Sequence, residues 1–179
     1  MDTPEPDAAD TGFLSFAETA VNTTVERLPT TDPRAMQLIL LLYRITNAVV
    51  YDLESTVHRP AGWSWSAFRL VFTLWVSGPL ESRQAAQLSG MSRAAVSSLT
   101  NTLVASGMLE RSPDPRDGRG VLLSLTEQGR DVLETTFRAH NKREAEWAAL
   151  LTPEELDTLN TVLGKLAAAA STQEWVNRR

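Results

Sequence analysis

The sequence has no cysteine, which rules out disulfides, thiolate metal sites and thiol redox sensing. It has only two histidines, His58 and His140, so a zinc site would need unusual ligands. Both histidines read first as structural or exposed. No apolar run comes near the ~20 residues that span a bilayer. The acidic opening MDTPEPDAADTG lacks the basic and apolar regions of a signal peptide, so a cytoplasmic protein is expected. No G-x-S-x-G elbow, phosphate-binding loop or metal-ligand spacing occurs. An enzyme is therefore not expected, and no cofactor is implied. Internal repeats are absent too.

An excess of positive charge, usual in a nucleic-acid binder, is also lacking: 17 Lys and Arg stand against 22 Asp and Glu, a net −5. The deficit sits at one end. Residues 1–32 carry seven acids against the single base Arg27, which leaves sixteen bases and fifteen acids for the rest. From Arg83 to Gly120, five arginines face Glu110, Asp114 and Asp117. The middle is locally basic, which permits DNA binding without demonstrating it.

What is present is a 179-residue chain, 42% hydrophobic, enough for one domain with extra helices. Residues 1–12 are expected to be disordered, and residues 13–32 to be an N-terminal extension with a short helix. Asp32-Pro33 starts a helix that runs to about His58. Met36, Ile39, Leu40, Tyr43, Val50, Leu53 and Val57 recur at helical spacing. Leu38, Leu41, Leu42, Ile45 and Val49 make it apolar on other faces as well. Such a helix is buried on several sides, which in a chain of this size points to a second subunit. Residues 33–62 are thus read as a dimerisation helix, broken by Arg59-Pro60-Ala61-Gly62.

Ser64 caps the next helix, which Ser77-Gly78-Pro79 ends. A short helix over residues 83–88, an "SGM" turn and a Ser92-capped helix to Ala105 follow, closed by Ser106-Gly107. Met108–Ser112 and Val121–Leu125 read as antiparallel strands joined by a long loop. Thr126 caps a long helix towards Trp147. "TPEE", Thr152 to Glu155, is a capping box with proline at the first helical position. Leu156, Leu159, Val162, Leu163 and Leu166 lie on one face of the helix it starts.

Helix, short helix, turn, helix and hairpin is the order of a winged helix-turn-helix, here residues 63–125. In the helix after Ser92, Val96, Leu99 and Leu103 point to a core, leaving Arg93, Ala94, Ser97, Ser98, Thr100, Asn101 and Thr102 outward. That small polar surface suits a major groove, although an ordinary solvated face has the same composition. The hairpin loop is RSPDPRDGRG, Arg111 to Gly120. Pro113 and Pro115 stiffen it, and Gly118 and Gly120 allow sharp turns. Asp117 can hold Arg119 extended for a narrow minor groove. The plain alternative is a surface turn whose ion pair is worth ~0–1 kcal/mol.

The run SRAAVSSLTNTLVASGMLERSPDPRDGRGVLLSLTEQGR, Ser92 to Arg130, resembles the MarR family of bacterial transcriptional regulators. The preceding SRQAAQLSGM looks like that family's first helix-turn-helix element. The match is specific over residues 82–130, and helix order fits over residues 33–170. The resemblance implies a mainly α fold with a small β-hairpin wing, a winged helix-turn-helix core, and N- and C-terminal dimerisation helices, the latter over residues 126–179. It implies an obligate homodimer on a palindromic operator, acting as a sequence-specific regulator, most simply a repressor. Ser92, Arg93, Ser97, Ser98 and Asn101 would face bases or phosphates. Arg116 would contact a phosphate, and Arg119, set by Asp117, would enter the minor groove. Gly118 departs from the family, where arginine is frequent at that position. The long N-terminus is similar to that of a urate-responsive subgroup, but Phe68-Arg69 stands where that subgroup has tryptophan and aspartate, so urate is not carried over.

The resemblance also implies release by a small aromatic or phenolic anion, or its CoA thioester. Trp63, Trp65, Phe68, Phe72 and Trp75 lie within thirteen residues. Ligand-binding candidates are Tyr43, Tyr51, His58, Trp65, Phe68, Arg69 and Phe72, with Arg69 or Arg44 as carboxylate partners. Each aromatic would serve equally well as core. The alternative to a DNA-binding regulator is a winged-helix module for protein contacts, docking through the acidic N-terminus without binding DNA.

Overall fold

The computed structural model describes the backbone of residues 8–115 and 117–172; the side chains of residues 8–11, 13, 14, 117–119 and 171 lie outside the description. The chain forms two compact units that divide between Asp52 and Leu53.

The first unit holds two helices. Helix α1 spans Ala8–Arg27, so residues 8–12 are helical where disorder was expected. Two alanines, the best helix formers, and an acid near the positive end of the helix dipole explain the earlier start. Helix α2 spans Pro33–Leu53. Asp32 Oδ1 accepts the backbone N–H groups of Arg34 at 3.0 Å and Ala35 at 3.1 Å, satisfying donors that the first turn leaves unpaired. Only Leu53 of α2 is buried. The helical stretch Pro33–His58 is, by length and composition, long and apolar enough to cross a membrane, contrary to the expectation from apolar runs. Isolated polar residues such as Arg44 and Asn47 interrupt the run without lowering its average enough. A helix that buries apolar faces against protein passes the same measure.

The second unit opens with a π-helical turn, Glu54–His58, where α-helix was expected to continue. Helix α3, Trp65–Ser77, is capped by Ser64, whose Oγ accepts from Ala67 N–H at 3.1 Å. Then come β1 (Leu80–Glu81), α4 (Ser82–Ser89), α5 (Arg93–Ala105), β2 (Leu109–Asp114), β3 (Asp117–Leu125), α6 (Glu127–Ala148) and α7 (Pro153–Thr172). Among the described residues the strands form one antiparallel sheet in the order β1-β3-β2. The fold is mainly α with a small sheet, as expected.

Two details of the sheet differ from expectation. Strand β1 pairs Leu80 with Leu123 and Glu81 with Leu122, and two residues are too few to show a periodicity. The long loop expected in the hairpin is instead ladder: β2 and β3 stay paired out to Asp114 and Asp117, with a register shift between Pro113 and Asp114. Proline, which lacks an N–H, is tolerated there because β2 is an edge strand.

Leu70, Val71 and Leu74 of α3 meet Ala85 of α4, Val96 of α5, Leu109 and Leu123 of the sheet, and Leu133 of α6 in one core. Burying each large aliphatic side chain contributes about 1.5–3 kcal/mol. The sheet joins α6 tightly. Thr126 Oγ1 donates to Gly107 O at 2.7 Å and accepts from Gly129 N–H at 2.9 Å. A Cβ on Gly129 would lie 2.1 Å from the carbonyl oxygen of Met108, so only glycine fits that approach.

Candidate functional site

Two surfaces of the second unit carry polar chemistry: the outer face of α5 and a cleft between α3 and α6. The first begins with α4, closed at its start by a capping box of Glu81 and Gln84. It ends at Gly90, whose φ of 65° lies in the left-handed region that glycine adopts without strain. Gly90 turns the chain, and Ser92 starts α5 by accepting Ala95 N–H on its Oγ at 3.2 Å.

Helix α5 buries Val96, Thr100 and Leu103. Ser92, Arg93, Ala94, Ser97, Ser98, Asn101 and Thr102 are exposed. Thr100 is a correction: it was expected outward and is 1% exposed. It sits four residues after Val96 and three before Leu103, and that spacing overrides its polarity. Its hydroxyl has no hydrogen-bond partner among the described residues.

Asn101 is not alone. Its Oδ1 accepts Arg111 Nη2 at 2.6 Å, a contact between α5 and β2 that sequence reasoning missed. The available signal was the two-residue alternation of a strand, which puts Arg111 on the same face as core-facing Leu109. Arg116 lies outside the described residues. Asp117 and Arg119 lie on β3, with their side chains outside the description.

The cleft has a volume of about 400 Å³. Trp65, Phe68, Arg69 and Phe72 of α3 line it with Leu88 and Ser89 at the end of α4 and Phe137, His140 and Glu144 of α6. The rings form a continuous series. Phe68 and Phe72 lie 5.9 Å apart between centroids, Phe72 and Phe137 5.3 Å, and Phe137 and His140 5.8 Å. These are offset contacts that aromatic pairs favour. Arg69 donates from Nη2 to the backbone carbonyl of Ser89, tying α3 to the last turn of α4.

A chain of titratable groups runs inward from the cleft wall. His140 Nε2 lies 3.0 Å from Glu144 Oε1, and His140 Nδ1 lies 3.2 Å from His58 Nε2. A carboxylate only accepts, so Nε2–H of His140 donates to it. When His140 is uncharged, its Nδ1 accepts and His58 donates from Nε2. That leaves His58 Nδ1 as a buried acceptor without a partner among the described residues. The pKa of His58 is lowered to about 4, chiefly by burial and then by His140, against the opposing pull of Glu54.

Of the expected ligand residues, Trp65, Phe68, Arg69 and Phe72 line this cleft. His58 is fully buried and touches Phe68, with ring centroids 4.2 Å apart. It packs behind the lining residues Trp65, Phe68 and His140. Tyr43 and Tyr51 belong to the first unit and are exposed. Phe137 and Glu144 went unnoticed in the sequence and His140 was read only as structural or exposed, although their spacing of three and four residues continues the buried stripe of Leu133.

A helix, a glycine turn, a second helix with a small polar face and a two-stranded wing define a winged helix-turn-helix, a DNA-binding class. The sequence model of the MarR family matches residues 63–121. The uncharacterized HTH-type transcriptional regulator YwaE of Bacillus subtilis (strain 168) is 35% identical over 133 residues, 74% of this chain and 78% of that one. The chain belongs to the MarR family of transcriptional regulators. Its fold matches a cysteine-to-serine mutant of MarR from E. coli complexed with operator DNA, with a TM-score of 0.67 at 22% identity, covering 80% of this chain and 96% of that one. It also matches BpsR of Bordetella bronchiseptica, a structure concerned with regulation of DNA binding by 6-hydroxynicotinic acid. There the TM-score is 0.67 at 24% identity, covering 73% of this chain and 98% of that one.

Proposed function

We propose that the chain is a cytoplasmic repressor that binds a palindromic operator as a homodimer and is released by a small aromatic or phenolic anion. Ser92, Arg93, Ser97, Ser98 and Asn101 face the major groove, Arg116 a phosphate, and Arg119, set by Asp117, the minor groove. The apolar faces that α2 and α7 leave exposed support pairing with a second copy, over residues 33–62 and 126–179. Pairing would hold two recognition helices one DNA turn, or a multiple, apart.

The observation that carries the ligand reading is the cleft itself. Its volume falls within the roughly 300–1,000 Å³ of small-molecule sites, and its walls are aromatic with a guanidinium at one side. A CoA thioester would seat its acyl ring there and leave its nucleotide in solvent. Ser89 stands immediately before the Gly90–Met91 turn into α5. A ligand carboxylate drawn to Arg69 competes with the Ser89 carbonyl, loosens that tie and favours another placing of α5. The bound acid thereby shifts the population away from the form that fits DNA.

The test is a mobility-shift titration on the DNA upstream of the chain's own gene, with and without a set of aromatic acids. Wild type is expected to shift the duplex and to be released by at least one acid. Arg69→Met, which lacks the tie to Ser89, should shift it more weakly and show no further release by that acid. No release of wild type by any acid in the set, or equal release of the variant, would remove the cleft from the account.

A further inference from the structure

We infer that Arg111 sets base specificity by occupying one edge of Asn101, so that the pair reads guanine. This rests on the reading of α5 as the DNA-facing helix. Leu109 and Arg111 share a face of β2. Leu109 enters the core, while Arg111, two residues on, is exposed and reaches across to α5. Its bond to Asn101 Oδ1 at 2.6 Å is a charge-assisted contact of the strong kind. Asn101 continues the stripe of Arg93 and Ser97, each four residues apart. Ala94, Ser97 and Ser98 keep that surface low, so the helix sinks close to base edges.

An unencumbered asparagine reads adenine through two bonds, accepting from N6 on its oxygen and donating to N7 from its amide. Here the oxygen is turned to a guanidinium. The guanidinium takes one of the two lone pairs of Oδ1, so donors outnumber acceptors on the pair: the Asn101 amide N–H groups and the remaining N–H groups of Arg111. Adenine N6 brought to Oδ1 would have to share that oxygen with the Arg111 guanidinium, donor crowded against donor. Cytosine also brings a donor. Guanine offers two acceptors, O6 and N7, and matches a donor-rich pair. A phosphate would accept from the same groups, but it carries no sequence information, and that difference separates the two contacts.

The experiment is selection of binding sites from a randomised duplex pool, using the full chain as wild type, Asn101→Ala, Arg111→Met and Arg111→Lys. Affinities of the selected sites are then measured at several salt concentrations. Wild type is expected to require guanine at one position, with other bases there weakening binding roughly ten- to hundredfold. Asn101→Ala should lose that preference. Arg111→Met frees Oδ1 and should let adenine compete at the same position. Arg111→Lys keeps the charge without the planar fork and should fall between. Three results would overturn the inference. One is adenine at that position for wild type. Another is an unchanged guanine preference in Arg111→Met. The third is uniform weakening of all sequences with the salt slope reduced by about one, the mark of a phosphate contact. Wild type that selects nothing from the pool would instead overturn the DNA-facing role of α5, and the inference with it. Both side chains are exposed, and matching unfolding curves for the variants would confirm that folding is not the cause.

Discussion

Helices α2 and α3 are both capped and both rich in apolar residues, yet one chain covers them very differently. The thirteen residues of α3 include buried Ala67, Phe68, Leu70, Val71 and Leu74. The twenty-one residues of α2 include one, Leu53. Ile39, Tyr43 and Tyr51 remain 62%, 68% and 66% exposed. Helix α7 repeats the α2 pattern with Leu159, Val162, Leu163 and Leu166. The winged unit therefore completes its own core, while α2 and α7 carry apolar surface that their own chain leaves in water. At roughly 25 cal/mol per Å² of apolar surface removed from water, patches of this kind mark sites of association.

The contrast can be broken most forcefully inside α3. Leu70→Ala should cost about 2–5 kcal/mol of unfolding free energy, independent of protein concentration, in a denaturant titration. A loss well below that range would mean the winged unit is not held by this core.

The next effect comes from His58, in the turn that directly follows α2. Its pKa in the folded chain, about 4, lies below the 6.5 of an unperturbed histidine. As pH falls, the unfolded chain takes up this proton first, so the folded state loses stability between those two values and is unaffected above them. The total should be on the order of 3 kcal/mol, read from unfolding curves at several pH values. His58→Gln should flatten the slope, and an unchanged slope would place the titration elsewhere.

A change on α2 should act on association and spare the winged core. Ile39→Glu is expected to weaken self-association at least about tenfold, on the order of 1.4 kcal/mol, in sedimentation equilibrium, with the near-ultraviolet spectrum of the winged unit retained. Unaltered association would move the pairing surface away from α2. The smallest effect belongs to a cap. Thr126→Ala removes the hydroxyl that accepts Gly129 N–H and donates to Gly107 O, and should cost about 1 kcal/mol.

The same division between local and long-range forces explains what could be read from the residues. Asp32, Ser64, Ser92, Thr126 and Thr152 all cap the helices expected of them, because a cap joins groups three residues apart. The helix-turn-helix was legible for the same reason, with Gly90 and Ser92 marking its turn. Features that depend on distant partners were not. Strand β1 exists only because β3 lies beside it. Thr100 is inside because its neighbours on the helix are, and Arg111 matters because β2 passes α5. Four of the cleft's residues were found on α3, where aromatics crowd together. Phe137, His140 and Glu144 come from α6, some seventy residues away, and a single apolar stripe does not say which helix it will meet. The membrane-length composition of Pro33–His58 went unnoticed because isolated polar residues hide a long apolar average.

If the polar face of α5 and the wing beside it hold DNA, they should do so through its phosphates as well as its bases. Fluorescence anisotropy of the full chain on a labelled duplex from its own upstream region, at salt from about 50 to about 200 mM, tests this directly. Binding should be tight at the low end, with a linear fall of log affinity with log salt and a loss on the order of a thousandfold across that range. Absence of binding at low salt, or an affinity indifferent to salt, would contradict it.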